Sequence, residues 1–202
     1  MDIDRSQWRA VISLTFPLPP AVILAGGLGT RLRSIVSDRP KAMALVAGKP
    51  FLIHQLCWLR ANGVKSVLLC VGYKGQQIAD YIGDGSSLGL LVSYSWEHTP
   101  LGTAGALAKT IELLPEEFLV INGDTYTNLP LKPLWEAHHH HTATATLAVT
   151  TSQESSAMGG IELAADGRIT SFREKDSTAK LVSMGVYAIS RGLAEFIPTK
   201  RP

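Results

Sequence analysis

Glycines at 26, 27 and 29, an arginine at 31 and a lysine at 41 are the residues of this chain whose types and spacing suit phosphate chemistry. They stand in Leu24-Ala25-Gly26-Gly27-Leu28-Gly29-Thr30-Arg31-Leu32 and in Arg39-Pro40-Lys41-Ala42-Met43. The preceding Ala21-Val22-Ile23-Leu24-Ala25 reads as a short buried strand, so the glycines fall where the chain must turn tightly. Backbone N–H groups in such a turn can approach phosphate oxygens, because no Cβ holds the anion away. Arg31 offers a planar, bidentate fork and Lys41 a compact point charge on a long stem, the two cations a polyphosphate needs.

Two familiar nucleotide motifs are excluded. No Lys-Ser or Lys-Thr pair follows the glycines, as a P-loop requires. From Gly27 the chain lacks the third glycine of a dinucleotide fingerprint and its acidic residue about 20 positions on. In open α/β sheets ligands bind beyond the carboxyl ends of strands, which singles out two more places. One is Glu97-His98-Thr99-Pro100-Leu101-Gly102-Thr103-Ala104-Gly105-Ala106-Leu107, the other Asn122-Gly123-Asp124 after the apolar run ending at Ile121. Read alone, Glu97 is a solvated strand-end charge and Asn-Gly-Asp ordinary turn chemistry.

Together, the GGLGTRL string, the downstream Pro40-Lys41, the PLGTAGAL string and Asn122-Gly123-Asp124 resemble the sugar-phosphate nucleotidylyltransferases. These enzymes join a nucleoside triphosphate to a sugar 1-phosphate, giving an NDP-sugar and pyrophosphate. Including Ser37-Asp38-Arg39-Pro40-Lys41, the pattern is most similar to the D-glycero-D-manno-heptose 1-phosphate guanylyltransferases, with mannose 1-phosphate guanylyltransferases next. The resemblance implies catalytic roles for Arg31, Lys41 and Asp124, with Asp124 holding Mg²⁺ as the cofactor. It implies nucleotide contacts from Leu24, Ala25, Gly26, Gly27, Gly29, Thr30, Glu97, Gly102 and Thr103. Glu97 would meet the base edge; a carboxylate only accepts, which suits the adjacent donors of guanine and makes GTP the favoured triphosphate. Gly123, Gly160, Glu174 and Lys175 would serve the sugar phosphate, Glu174 on hydroxyls and Lys175 on phosphate.

Two departures stand beside the resemblance. It runs from about Ala21 to Phe196, and the family's usual continuation, with a second metal-binding aspartate, is not found before Pro202. Ser183 stands where the heptose-type pattern commonly has Asn. A non-catalytic nucleotide- or sugar-phosphate-binding module, or a regulatory subunit, therefore stays open beside the enzyme.

The elements that must position these residues follow from periodicity. Helices are expected over 50–62, 76–82, 103–114 and 131–140, and buried strands over 67–71, 90–96 and 118–121. Beyond Asp124 strand-like segments dominate, at 143–150, 160–163, 169–174 and 182–189, with Asp166-Gly167 as a hairpin turn. Alternation followed by hairpins predicts an α/β fold whose mixed sheet carries an antiparallel portion. With the resemblance this becomes a three-layer sandwich around a Rossmann-like, mostly parallel mixed sheet of the nucleotide-diphospho-sugar transferase type. Residues 1–20 read as an N-terminal extension and 21–202 as one nucleotidyltransferase domain.

Composition bounds the rest. The chain has 202 residues, 46 % of them hydrophobic and 18 % charged, the balance of a globular domain with a substantial core. A net charge of +2 with scattered Lys and Arg gives no support to a nucleic-acid partner. The apolar stretch over 11–16, broken by Pro17, is too short for a membrane span. Cys57 and Cys70 read as free, buried thiols in a reducing cytoplasm. The run His138-His139-His140-His141 reads as an exposed helix end, since adjacent helical side chains cannot converge on one ion. Oligomeric state is open, a homo-oligomer included.

Overall fold

The computed structural model describes residues 17–27, 29, 38–151, 160–173 and 179–197. Four short strands form a parallel sheet: β1 (Ala21–Leu24), β4 (Ser66–Val71), β5 (Leu91–Trp96) and β6 (Glu117–Asn122). They lie in the order β5-β4-β1-β6. The long strand β10 (Leu181–Ser190) continues the sheet antiparallel to β6 and also pairs with β7 (Ala145–Thr151) and β8 (Gly160–Leu163). Beyond β8 lies β9 (Ile169–Arg173), joined to it through the Asp166-Gly167 turn, where Asp166 Oδ1 accepts from Arg168 N at 3.1 Å. A two-stranded hairpin, β2 (Leu45–Val46) with β3 (Lys49–Pro50), is an addition to the expected elements.

Side-chain alternation along the parallel strands builds the layers. Ala21 and Ile23 of β1, Val67, Leu69 and Val71 of β4, and Leu119 and Ile121 of β6 face one side. There they meet Leu52, Leu56 and Leu59 of α1 (Phe51–Ala61), Ile78 and Ile82 of α2 (Gly75–Ile82), and Leu131, Leu134 and Trp135 of α4 (Leu131–His141). Val22, Leu68, Cys70, Phe118 and Val120 face the other side, against Ala106 and Leu107 of α3 (Gly102–Thr110). Helices thus cover both faces, which is why β4 and β6 read as unbroken apolar runs. The three-layer, mostly parallel mixed sheet is the architecture the sequence led us to expect. Leu18 packs against the larger core, and Leu119 N donates to Pro20 O at 2.9 Å, so the chain is anchored just ahead of β1.

Three expectations need correction. α3 ends at Thr110 and passes into a 3₁₀ turn over Ile111–Leu113, where a helix to 114 was expected. Cys70 is buried, and burial, followed by the nearby Glu97 charge, pushes its thiol up to about 12, but Cys57 lies on the exposed face of α1. The histidine run is not wholly an exposed helix end: His138 is buried among α4, β7 and β10. Its Nδ1 lies 2.9 Å from Thr146 Oγ1 and its Nε2 3.1 Å from Ser190 Oγ. Ser190 Oγ spends its proton on Ala143 O at 3.1 Å, so it accepts from His138 Nε2, and Thr146 donates to Nδ1.

Those bonds satisfy a neutral imidazole. Burial lowers the His138 pKa, Glu117 opposes that shift from 3.8 Å, and His139 adds to it. Because the folded pKa lies below the unfolded value of about 6.5, the unfolded chain binds the extra proton first. Stability is therefore full above about pH 6.5 and is lost as pH falls from there through the folded pKa. Thermal melts at pH 8 and pH 5.5 should show a larger loss of Tm in the wild type than in His138→Asn. Equal losses in both proteins would remove His138 as the source.

Candidate active site

β1, β4, β5 and β6 run the same way, so their carboxyl ends open on one edge. The loops that leave them are tied side by side by backbone bonds. Ala25 N donates to Cys70 O at 2.9 Å, Gly123 N to Leu24 O at 3.1 Å, and Glu97 N to Val71 O at 2.7 Å. Each bond extends the ladder past the last paired residues and fixes where the next side chain points.

Two adjoining cavities result. The larger, about 350 Å³, is lined by Leu24, Ala25, Gly27 and Gly29 of the glycine loop together with Lys41, Gly123 and Asp124. Thr103, in the first turn of α3, closes one end; that helix carries no side-chain cap, which leaves its first N–H groups free to meet an anion. The smaller, about 200 Å³, is lined by Gly26, Gly72, Tyr73, Glu97 and the His98-Thr99-Pro100 segment. Gly26, between Ala25 and Gly27, joins them.

Close approach explains two of the glycines. A Cβ on Gly26 would meet the Glu97 carboxylate, which would have to swing away from the loop, so glycine lets the acid rest directly against it. Gly29 has φ +59° and lies against the Lys41 stem, its missing Cβ falling 3.1 Å from Lys41 Cβ. Lys41 opens a 3₁₀ turn over Lys41–Met43 whose next residues, Ala42 and Met43, are buried and anchor it. From there its Nζ donates to Asp124 Oδ2 at 2.8 Å in the lining of the cavity. Both side chains remain partly exposed, 36 % for Lys41 and 53 % for Asp124, so the pair is open to a ligand and adds little to stability.

Glu97 Oε2 accepts from Leu101 N at 3.3 Å, which holds the carboxylate at the cavity wall below the start of α3. Gly102 is the exposed first residue of α3, at φ +67° beside Thr103, and lines neither cavity. Gly160 lies in β8, paired with Val182 and Arg173, and also lines neither. Arg31, Thr30, Glu174 and Lys175 fall outside the described residues. Among the described residues, no group of three or more His, Cys, Asp or Glu could enclose a metal ion.

Tyr73 was missed in the sequence, although a signal existed. Gly72-Tyr73 follows β4 just as Glu97 follows β5, and the rule that flagged the other strand ends applies equally there. Asn122 and Ala42 complete the larger cavity.

A cleft at the carboxyl edge of a parallel sheet, lined by a glycine loop, a lysine and an aspartate, lies where doubly wound α/β proteins place their ligands. The chain belongs to the nucleotidyl transferase family, whose model matches residues 20–201. It is 38 % identical over 177 residues to a D-glycero-alpha-D-manno-heptose 1-phosphate guanylyltransferase of Aneurinibacillus thermoaerophilus, covering 87 % of this chain and 76 % of that one. It is 35 % identical to a mannose-1-phosphate guanylyltransferase of Mycobacterium tuberculosis over 90 % of this chain, and spans only 51 % of that relative's length. HddC from Yersinia pseudotuberculosis, solved alone and in complex with GMP-PN, is 32 % identical; the free form superposes with a TM-score of 0.80 over 90 % of this chain and 80 % of that one.

Proposed function

We propose that the chain transfers GMP from GTP to a sugar 1-phosphate of the heptose or mannose type, releasing pyrophosphate. The observation that carries this reading is the Lys41–Asp124 pair, 2.8 Å apart, in the lining of the larger cavity beside the glycine loop, with Glu97 at the wall of the smaller one. The triphosphate lies along Gly26, Gly27 and Gly29, and the base enters beside Glu97, whose carboxylate accepts from two adjacent guanine donors. The guanylyltransferase relatives, and the guanine nucleotide in the HddC complex, support that choice of base.

The donor set fits a divalent cation. Asp124 already faces one cation, the Lys41 ammonium, and a single carboxylate joined by phosphate oxygens is the arrangement Mg²⁺ favours. Bound there with the triphosphate, Mg²⁺ would neutralise phosphate charge. The chain's own residues do the rest. An oxygen of the sugar phosphate attacks the α-phosphorus in line, forming a new P–O bond. The bond from that phosphorus to the α,β-bridging oxygen breaks, and pyrophosphate leaves with the electron pair. The nucleophile is already an anion at neutral pH, so no general base is needed. Lys41 is released from Asp124 to follow the charge on the phosphates, and Arg31, from the same glycine loop, supplies the second cation. Glu174 and Lys175 are assigned to the sugar hydroxyls and sugar phosphate, and Gly123 and Gly160 to the same substrate. A reaction fed by nucleoside triphosphate fits a cytoplasmic protein. Among the described residues no helix is long and apolar enough to cross a membrane.

The test is release of pyrophosphate from each of the four common triphosphates with Mg²⁺ and a panel of sugar 1-phosphates. GTP with a heptose or mannose 1-phosphate should give the fastest release. Saturable GTP binding without pyrophosphate from any sugar would replace the enzyme by the binding module.

A further inference from the structure

α1 packs its apolar stripe of Leu52, Leu56 and Leu59 into the larger core, yet the same stripe carries Gln55, fully buried. Gln55 Nε2 donates to Asn122 O at 3.0 Å and to Thr125 O at 2.7 Å, the carbonyls on either side of Gly123-Asp124. Both partners can only accept, so the amide is fixed in this orientation. Its Oε1 has no hydrogen-bond partner among the described residues. The unpaired acceptor is a cost, and what offsets it is the pair of bonds Nε2 gives to the two carbonyls. What the residue does is hold the turn through Nε2.

The rest of that turn is held from other directions. Gly123 N is bonded to Leu24 O in β1, Thr125 N to Asn122 O at 3.0 Å, and Thr125 Oγ1 donates to Met184 O in β10 at 3.1 Å. Two bonds come from the sheet and one lies within the turn; Gln55 supplies the tie from the helical layer, bracketing Asp124. We propose that Gln55 is a positioning residue that fixes the turn over 122–125 so that Asp124 presents its oxygens to the divalent cation and to Lys41. This rests on the role proposed above for Asp124 and extends it to a residue that touches neither nucleotide nor metal.

The test compares GTP affinity by calorimetry with Mn²⁺ and with EDTA, for the full chain and for Gln55→Met and Asp124→Asn. The ratio of the two affinities reports the metal alone. In folded Gln55→Met the ratio should fall about tenfold, the usual scale for residues that orient metal ligands, while affinity in EDTA stays at the wild-type value. Its kcat should fall as well and recover toward wild type at excess Mg²⁺, a rescue that a merely structural role would not give. If Asp124→Asn leaves the ratio unchanged, the metal role of Asp124 falls and this inference with it. If Asp124→Asn collapses the ratio but folded Gln55→Met keeps it, the inference alone is overturned. Should Gln55→Met not fold, Gln55→Asn, whose amide is one methylene too short to reach both carbonyls, takes its place. Failure of both to fold would make Gln55 a stability residue and overturn the proposal.

Discussion

Asp124→Asn is expected to lower kcat about 1,000-fold, the scale of losing a preorganised charge contact in a phosphoryl or acyl transfer site. The substitution keeps the shape of the side chain and removes the charge that binds a hard cation. Lys41→Ala should cost about 100- to 1,000-fold in kcat, with a smaller rise in the KM for GTP, if the ammonium binds charge that grows as pyrophosphate departs. Neither change should unfold the protein. The two groups meet at 2.8 Å but are partly exposed, and exposed ion pairs contribute only about 0–1 kcal/mol. Tm should therefore move by no more than a few degrees in either variant. Steady-state rates of pyrophosphate release, beside melting curves, check both halves. Wild-type turnover in purified Asp124→Asn would remove its metal role, and equal losses of kcat and Tm would make the pair a structural contact instead.

The sequence made the layers legible because β4 and β6 are continuous apolar runs and α1 keeps its leucines at helical spacing, patterns that only burial explains. Gly26, Gly29, Glu97 and Asp124 were legible because each lies in a loop that leaves a strand, where an open α/β sheet places its ligands, and Lys41 because the Pro40-Lys41 string stands downstream of the glycines. What periodicity could not convey was partnership. Nothing in the local sequence around Lys41 indicates that its ammonium reaches a carboxylate 83 residues away. Gln55 was visible as a polar residue on an apolar stripe, but its two carbonyl partners, 67 and 70 residues on, emerge only when α1 is laid against β6. His138 shows the converse: its solvated-looking neighbours His140 and His141 hid a residue whose position on α4 points inward, toward Thr146 and Ser190. The small hairpin of β2 and β3 has two residues in each strand, too few for alternation to register.

Glu97→Gln should shift the choice of base more than it affects anything else. Glu97 accepts a hydrogen bond from Leu101 N and packs over Gly26, and a glutamine can keep the first through its Oε1 and the second through its Nε2. What it cannot do is accept twice: a carboxylate offers two acceptors to guanine N1–H and N2–H₂, whereas an amide offers one acceptor and one donor. The amide matches the donor and adjacent acceptor of uracil or thymine. Hydrogen bonds to charged groups contribute about 1.5–3 kcal/mol, so kcat/KM for GTP should fall about 10- to 150-fold. Over the same change the ratio of UTP or dTTP to GTP should rise, with the kcat of the transferred substrate less affected than its KM. Competition among the four triphosphates, read as the identity of the NDP-sugar formed, measures the ratio directly. An unchanged ratio in a variant that folds and turns over would leave Glu97 as a cap on the start of α3 and move base selection to Tyr73 or the 98–100 segment.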